Sequence, residues 1–302
     1  MRRKKTEKKQ FYIGDIFRVI GLIIAFSVLL YPTISNYLYE KNGARVISSY
    51  DENAVRLSES DKREMLEAAR QYNEELLGNI ELLDPFSPVK KEVDERYQSL
   101  LNVNGSGMIG YIRIPKIDTE LPIYHGTEER VLQSGVGHFE GTSLPIGGES
   151  THAVLTGHRG LPSKLLFTDL DNLEDGDIFY IKVLGETFAY QVDQIRTVLP
   201  ENTKELTIVS GKDYVTLVTC TPYAVNTHRL LVRGHRIPYE EAVEKVPDEE
   251  IKAGLPFQVK ILFAALFILL LILIICGAVV SVKKRKRRKE DVRRKEHVSD
   301  KK

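Results

Sequence analysis

Three side chains in this chain could together perform thiol acyl transfer: Cys220, His158 and Arg229. Cys220 closes a β-branched run, Tyr214–Thr219, that reads as a strand. Thr221 and Pro222 give a turn signal, and Arg229–Arg233 resumes strand composition. Within Asp213–Arg236, a thiol at the end of one strand and a guanidinium at the start of the next project into one shared space. His158 lies in LTGHRG, Leu155–Gly160, a Gly-flanked loop that follows the apolar run Ala153–Leu155. A free thiol has a pKa of about 8.5, so at neutral pH it needs a neighbour that takes its proton or favours the anion. His158 is the candidate, as base toward the thiol and then acid toward a leaving amine. Arg229 stays charged and so cannot be a base; it suits a substrate carbonyl or the oxyanion of a tetrahedral intermediate.

Each choice has a bland competitor. The chain has two cysteines, and Cys276 sits in an apolar stretch, so Cys220 has no disulfide partner in its own domain. A lone cysteine taken by itself reads as a buried structural thiol. His125, His138, His152, His228, His235 and His297 compete with His158 and read as surface or satisfied core residues. His228 neighbours Arg229 along the strand and should face the other way, whereas Arg233 shares the face of Arg229 and is the alternative guanidinium. Arg159 and Arg236 are weaker candidates. No His/Cys/Asp group has metal-ligand spacing, and no cofactor is expected.

The elements that must position these residues follow from composition. The 302 residues carry a net charge of +1, sharply partitioned. Residues 1–10 hold six Lys/Arg and one acid, and residues 283–302 hold twelve and four, which leaves −12 between them. So acidic a middle argues against nucleic acid as partner. Ile16–Tyr39 is apolar, densest at Val19–Leu30 and interrupted by Pro32; lacking a small-x-small site after it, it reads as an uncleaved signal anchor. Ile261–Val280 has no charge over a helical length of about 30 Å, a bilayer span stopped by KKRKRRK at Lys283–Lys289. Both termini are therefore expected in the cytoplasm, with Asn42–Glu250 outside.

Ser58–Gly78 reads as an amphipathic helix capped by Ser58 and Asp61, with Met65, Ala69, Tyr72 and Leu76 on one face. Asp84-Pro85-Phe86-Ser87-Pro88 excludes regular helix. Val89–Leu101 reads as a second helix with Val93, Tyr97, Leu100 and Leu101 inward. From Met108, short β-rich runs alternate with turn residues: Ile109–Ile114, Leu121–Tyr124, His152–Thr156, Asp177–Leu184, Thr187–Val198, Tyr214–Thr219 and Arg229–Arg236. Val131–Gly135 and Lys164–Asn172 read as helical inserts. Pattern leaves barrel and sandwich equally open.

The run T-L-V-T-C at Thr216–Cys220, with Arg229 nine residues beyond the cysteine and His158 in T-G-H, resembles the signature of sortases, cysteine transpeptidases of Gram-positive cell surfaces. The longer run TCTPYAVNTHRLLVRGHR, Thr219–Arg236, is similar to the pilus-assembling class C, and the likeness covers about Met108–Pro238. It implies a mainly β fold, an eight-stranded barrel with short helices, preceded by a helical lid-bearing segment and flanked by two transmembrane helices. The expected layout is a basic head (1–15), a signal anchor (16–39), an extracellular helical segment (42–106), the catalytic barrel (107–240), a linker (241–258), a second span (259–282) and a basic tail (283–302). It implies catalytic His158, Cys220 and Arg229. It also implies a lid in which Asp84 pairs with Arg229 while Phe86 covers Cys220. An exposed Asp–Arg pair of ~0–1 kcal/mol would open readily. The implied partners are pilin precursors bearing an LPXTG-type signal, cut between Thr and Gly, and an acceptor pilin lysine that forms an isopeptide bond. The alternatives are a sortase class that attaches proteins to peptidoglycan, an L,D-transpeptidase and a two-span receptor with an inert cysteine. The second expects Gly before the cysteine and Arg two residues after, where this chain has Thr219 and Pro222.

Overall fold

A computed structural model of the chain describes residues 13–76, 82–87, 94–249 and 260–266. It divides into two units, Met1–Ala253 and Gly254–Lys302; in the second, residues 260–266 are helical. The first unit is built on a closed barrel of eight strands in the order β1-β2-β3-β4-β7-β8-β6-β5. These are β1 Met108–Ile114, β2 Thr119–His125, β3 Val136–His138, β4 Thr151–Thr156, β5 Ile178–Val183, β6 Glu186–Val198, β7 Asp213–Thr221 and β8 His228–Ile237. The helices are α1 Ile13–Arg56, α2 Glu59–Glu75, α3 Glu95–Ser99, α4 Glu129–Leu132 and α5 Tyr239–Lys245.

The seven strands expected from composition all form, each within a residue or two of its expected limits. Several are buried on both faces: every residue of β1 and of β4 is shielded, because helices and loops cover the outside of the barrel there. The core runs through Ile112, Ile114, Ile123, Leu155, Phe179, Tyr190, Val215, Leu217 and Val232. β3 went unforeseen. It is three residues long, pairs parallel with β2 and antiparallel with β4, and so closes the barrel through contacts that no local pattern carries. The expected insert Val131–Gly135 is the short α4 that leads into it, and Lys164–Asn172 is turns plus a 3₁₀ turn at Leu170–Asn172.

The segment ahead of the barrel is fastened at two points. Ser58 caps α2 by accepting from Asp61 N (3.1 Å), as its sequence suggests. The buried face is Leu66, Ala69, Tyr72, Asn73 and Leu76, with Met65 at its margin. Asn73 bridges the backbone of Leu144, accepting from its N (2.7 Å) and donating to its O (3.1 Å). Of the second expected helix, residues 89–93, Val93 among them, lie outside the described residues; the rest is helical over α3, N-capped by Asp94 and ending at Leu100. Tyr97 is completely buried; its hydroxyl meets His138 Nδ1 (2.8 Å) and accepts from Gly126 N (3.1 Å).

The first expected span, 16–39, is helical throughout as part of α1, which continues along β1 to Arg56. There Tyr50 donates to Ile109 O (2.7 Å) and accepts from Leu184 N (3.0 Å). Among the described residues no helix is long and apolar enough to cross a membrane. Most of the expected span 259–282, most of the basic head, the basic tail, Cys276 and His297 lie outside them. The stretch read as a linker from 241 begins inside α5, which packs on Ile178, Tyr180, Ala189 and Ile237. Beyond α5, Asp248 accepts from Arg113 (2.5 Å) and pairs with Lys182 (2.8 Å).

Candidate active site

β7 and β8 are antiparallel neighbours with Cys220 directly opposite Arg229. Opposed residues of an antiparallel pair project from the same face, so register alone sets thiol and guanidinium side by side. The loop between them, 222–227, reverses the chain with Ala224 and Asn226 at positive φ (62° and 61°). β4 lies along the other edge of β7, in parallel register as far as Thr156 opposite Val218. The pairing continues one residue further, with Gly157 N donating to Val218 O (3.0 Å) and Thr219 Oγ1 donating to Gly157 O (2.8 Å). His158 follows at once, its carbonyl accepting from Phe167 N (3.0 Å). Gly157 is required by space: a Cβ there would stand 2.6 Å from the Phe167 ring.

Asp84 and Phe86 join this cluster from upstream in the chain. Ser87 N donates to Asp84 O (2.8 Å), closing a tight turn around Pro85 and Phe86. Asp84 takes Arg229 with both oxygens, Nε to Oδ1 at 2.9 Å and Nη2 to Oδ2 at 2.6 Å. The remaining Nη1 donates to Asn226 O (3.1 Å) and His228 O (3.0 Å), so both Nη1 donors and the edge facing Asp84 are engaged. The side chains are 11% (Arg229) and 16% (Asp84) exposed, which corrects the expectation of an exposed, weak pair. A bidentate, shielded pair is a firm latch. The Phe86 ring lies 5.9 Å from the His158 ring, and the Arg229 guanidinium is 5.0 Å from the Phe86 centroid. Phe86 thus spans the imidazole and the guanidinium. Leu82 anchors the turn's entry within Phe139, Val154, Leu206, Val218 and Leu231, and its carbonyl accepts from Thr203 Oγ1 (3.0 Å).

Cys220 is a free, half-buried thiol. Burial pushes its pKa up; the Arg229 guanidinium pulls against that, and the Asp84 carboxylate adds to it. The turn therefore disfavours the thiolate. His158 Nε2 lies 3.2 Å from Glu129 Oε2, a partner that sequence reasoning missed because one acid in a four-residue helix looks like surface. Glu129 also accepts from Gln133 Nε2 (2.7 Å), and its carboxyl is held below the usual range by that bond first and by His158 next.

The competitors are engaged elsewhere. Arg233 pairs with Asp193 (2.9 Å) and stacks on Tyr214, four residues along β8 from Arg229. Arg236 lies over Phe188. Arg159 pairs with Asp171 and reaches Thr221 Oγ1 (3.4 Å), next to Cys220. His228 meets Thr227 Oγ1 (2.9 Å). His138 and His152 are interior and held neutral by burial, with pKa values lowered to about 3 and about 4. Burial also lowers that of His125. A cavity of about 780 Å³ lies away from all of these, between α1 and the β1–β2 face, and touches none of the five candidate residues.

The sortase-domain family profile matches residues 112–237. Among curated relatives, sortase D of Bacillus subtilis is 31% identical over 42% of this chain and 63% of its own length. Sortase A of Streptococcus agalactiae is 33% identical over 42% of this chain and 52% of its own. The matches thus span less than two thirds of these two relatives. Solved structures are matched over nearly their whole lengths. Sortase C of Streptococcus pneumoniae is 50% identical over 65% of this chain and 97% of that chain, with a TM-score of 0.61. A pilus-related sortase C of Group B Streptococcus is 50% identical over 63% and 96%, with a TM-score of 0.59. Sortase C-1 of Actinomyces oris is 46% identical over 58% and 98%, with a TM-score of 0.56. With its eight-stranded barrel and its thiol opposite an arginine, this chain belongs to the sortase family, class C.

Proposed function

We propose that this chain is a pilin-polymerising cysteine transpeptidase, in which Cys220 is the nucleophile, His158 its proton partner and Arg229 the stabiliser of developing negative charge. The observation that carries the reading is the register pair Cys220–Arg229 with Asp84 latched onto the guanidinium. The pilus-related and pilin-specific descriptions of the Group B Streptococcus and S. pneumoniae enzymes support the substrate class.

The steps follow from the side chains. An LPXTG-type signal presents its Thr carbonyl to Sγ, and His158 accepts the thiol proton as the C–S bond forms. The oxyanion is met by the Arg229 N–H groups that Asp84 occupies while the turn is closed. Collapse breaks the Thr–Gly bond, and His158 returns the proton to the glycine amine. The thioester on Cys220 is then attacked by a lysine amine of the next pilin, which forms the isopeptide bond and restores the thiol. Asp84 and Phe86 act as a lid. Closed, it neutralises Arg229 and keeps the thiol protonated; opening releases the guanidinium for substrate and exposes the imidazole. A covered site also favours aminolysis over hydrolysis by excluding water.

The chain is placed at the cell membrane, with spans at 16–39 and 259–282, the barrel outside and both basic termini in the cytoplasm. The uncharged run 261–280 and the basic charge of the two ends support this. Membrane-impermeant labelling of single cysteines on intact cells tests the topology: positions in 42–250 should react and positions in 283–302 should not. The reaction is tested by incubating the full chain in detergent with a purified pilin bearing an LPXTG-type signal. Covalent ladders should appear with the wild type and vanish with Cys220→Ala; ladders that persist in the variant overturn the assignment.

A further inference from the structure

We infer that Glu129 is a positioning residue for His158, and that helix α1 holds Glu129 in place from behind through Lys164 and Gln133. The inference rests on the proposed role of His158 and goes beyond it, because it assigns a tautomer to the imidazole and couples that tautomer to the helix carrying the first expected span.

The geometry begins at the ring. Glu129 Oε2 is 3.2 Å from His158 Nε2. An ionised carboxylate only accepts hydrogen bonds, so the neutral imidazole must carry its proton on Nε2. That leaves Nδ1 with the lone pair, as the nitrogen that takes the thiol proton and later hands one to the leaving amine. With Phe86 packed beside the ring at a 37° tilt and Glu129 at its edge, both the orientation and the tautomer of the imidazole are set before substrate arrives. A base oriented by a third group is the arrangement that thiol and hydroxyl nucleophiles require.

An acid that is 71% exposed would do this poorly if its side chain were free to turn. Glu129 is not free. Its other oxygen accepts from Gln133 Nε2 at 2.7 Å. Lys164 Nζ donates to Gln133 O (2.5 Å) and lies 3.3 Å from Gln133 Oε1. Lys164 in turn sits over the Tyr39 ring of α1, 5.3 Å from its centroid. Tyr39 donates to Ser134 O (3.0 Å), and Leu165 N donates to Asn36 Oδ1 (2.8 Å), so α1 grips both the end of α4 and the loop that follows His158. From α1 to the imidazole, each step is a direct contact: Tyr39, Lys164, Gln133, Glu129, His158.

The test uses the full chain in detergent, a fluorogenic Leu-Pro-Ala-Thr-Gly peptide as acyl donor and an amine acceptor. Glu129→Gln keeps size and loses charge, so its amide meets Nε2 with either oxygen or nitrogen. It should lower kcat by about three- to tenfold with KM for the peptide unchanged, because a positioning group acts through the imidazole on the proton transfer and not on binding. In ¹⁵N-histidine NMR the wild type should show His158 as the Nε2–H tautomer, and Glu129→Gln should show a mixture. Tyr39→Ala should move the NMR signature in the same direction and more weakly. His158→Ala is the control for the underlying reading: if it still turns over, the role of His158 fails. If His158→Ala is inactive while Glu129→Gln keeps wild-type kcat and tautomer, the Glu129 inference is overturned and the function stands. A Glu129→Gln variant that loses kcat with the tautomer unmoved equally overturns it.

Discussion

Replacing Asp84 by Asn tests the latch with minimal change of shape. The carboxylate makes two hydrogen bonds to Arg229, at 2.9 and 2.6 Å, between side chains that are 11% and 16% exposed. The amide can keep one of these as a neutral acceptor and must turn its NH₂ toward a guanidinium that has only donors. The loss is therefore about one charge-assisted hydrogen bond, roughly 1.5–3 kcal/mol. At about 1.4 kcal/mol per factor of ten, the closed turn should lose roughly ten- to a hundredfold in population relative to the open one. A second effect adds to the first. Asp84 is one of the groups that raise the Cys220 pKa, and Arg229 lowers it, so without the carboxylate the thiol ionises at lower pH. Both effects raise the alkylation rate, which depends on access and on the thiolate fraction. The assay is the second-order rate of iodoacetamide modification near neutral pH, in a Cys276→Ser background so that one thiol reports. Asp84→Asn should react at least about tenfold faster than its parent. An unchanged or slower rate would refute the latch, since neither access nor ionisation would then depend on this carboxylate.

Other consequences follow from individual contacts. Phe86→Ala should also speed alkylation, by less than Asp84→Asn, because the ring contacts His158 and Arg229 and leaves the ion pair in place. Arg229→Lys keeps a charge and loses the fork that Asp84 grips; kcat/KM for an LPXTG-type peptide should fall by about a hundredfold or more, while alkylation speeds up. Gly157→Ala puts a methyl 2.6 Å from Phe167, and should cost about 1–3 kcal/mol in denaturant unfolding and lower turnover by displacing His158. Acid should destabilise the barrel through His138 and His152. Their folded pKa values, about 3 and about 4, lie below the unfolded 6.5, so the unfolded chain takes up protons that the native one refuses. Stability is then intact above 6.5 and declines below it, by about 2 kcal/mol per histidine at pH about 5. Unfolding midpoints measured from neutral to acid pH in the wild type and in His152→Gln should show a shallower decline in the variant.

The strands were legible because β-branched runs bounded by Gly, Pro and Asp are dense from Met108 onward, and the Cys220–Arg229 pairing could be read from one hairpin. β3 was hidden: Val136-Gly137-His138 is too short for a period, and Val131 and Leu132 beside it read as helix. The family likeness pointed to Asp84 and Phe86. Sequence alone gave only a turn, and the shielding of the ion pair depends on how Leu82 seats the segment against β4, β7 and β8. Phe86 was expected over the thiol and is found against the imidazole and guanidinium. Of the helix expected at Val89–Leu101, the described part is helical at Glu95–Ser99, where Tyr97 meets the buried His138, a contact that no local pattern signals. Glu129 left no local mark; its role depends on α4, the loop after β4 and α1 meeting in space.

Intact mass spectrometry of the Asp84→Asn full chain, quenched after brief exposure to a peptide carrying an LPXTG-type signal, addresses the acyl-transfer claim most directly. The account predicts a mass gain equal to the fragment ending at Thr, mapped to Cys220, released by hydroxylamine and absent from Cys220→Ala. Peptide cleavage with no adduct on Cys220, or an adduct on another residue, would contradict it.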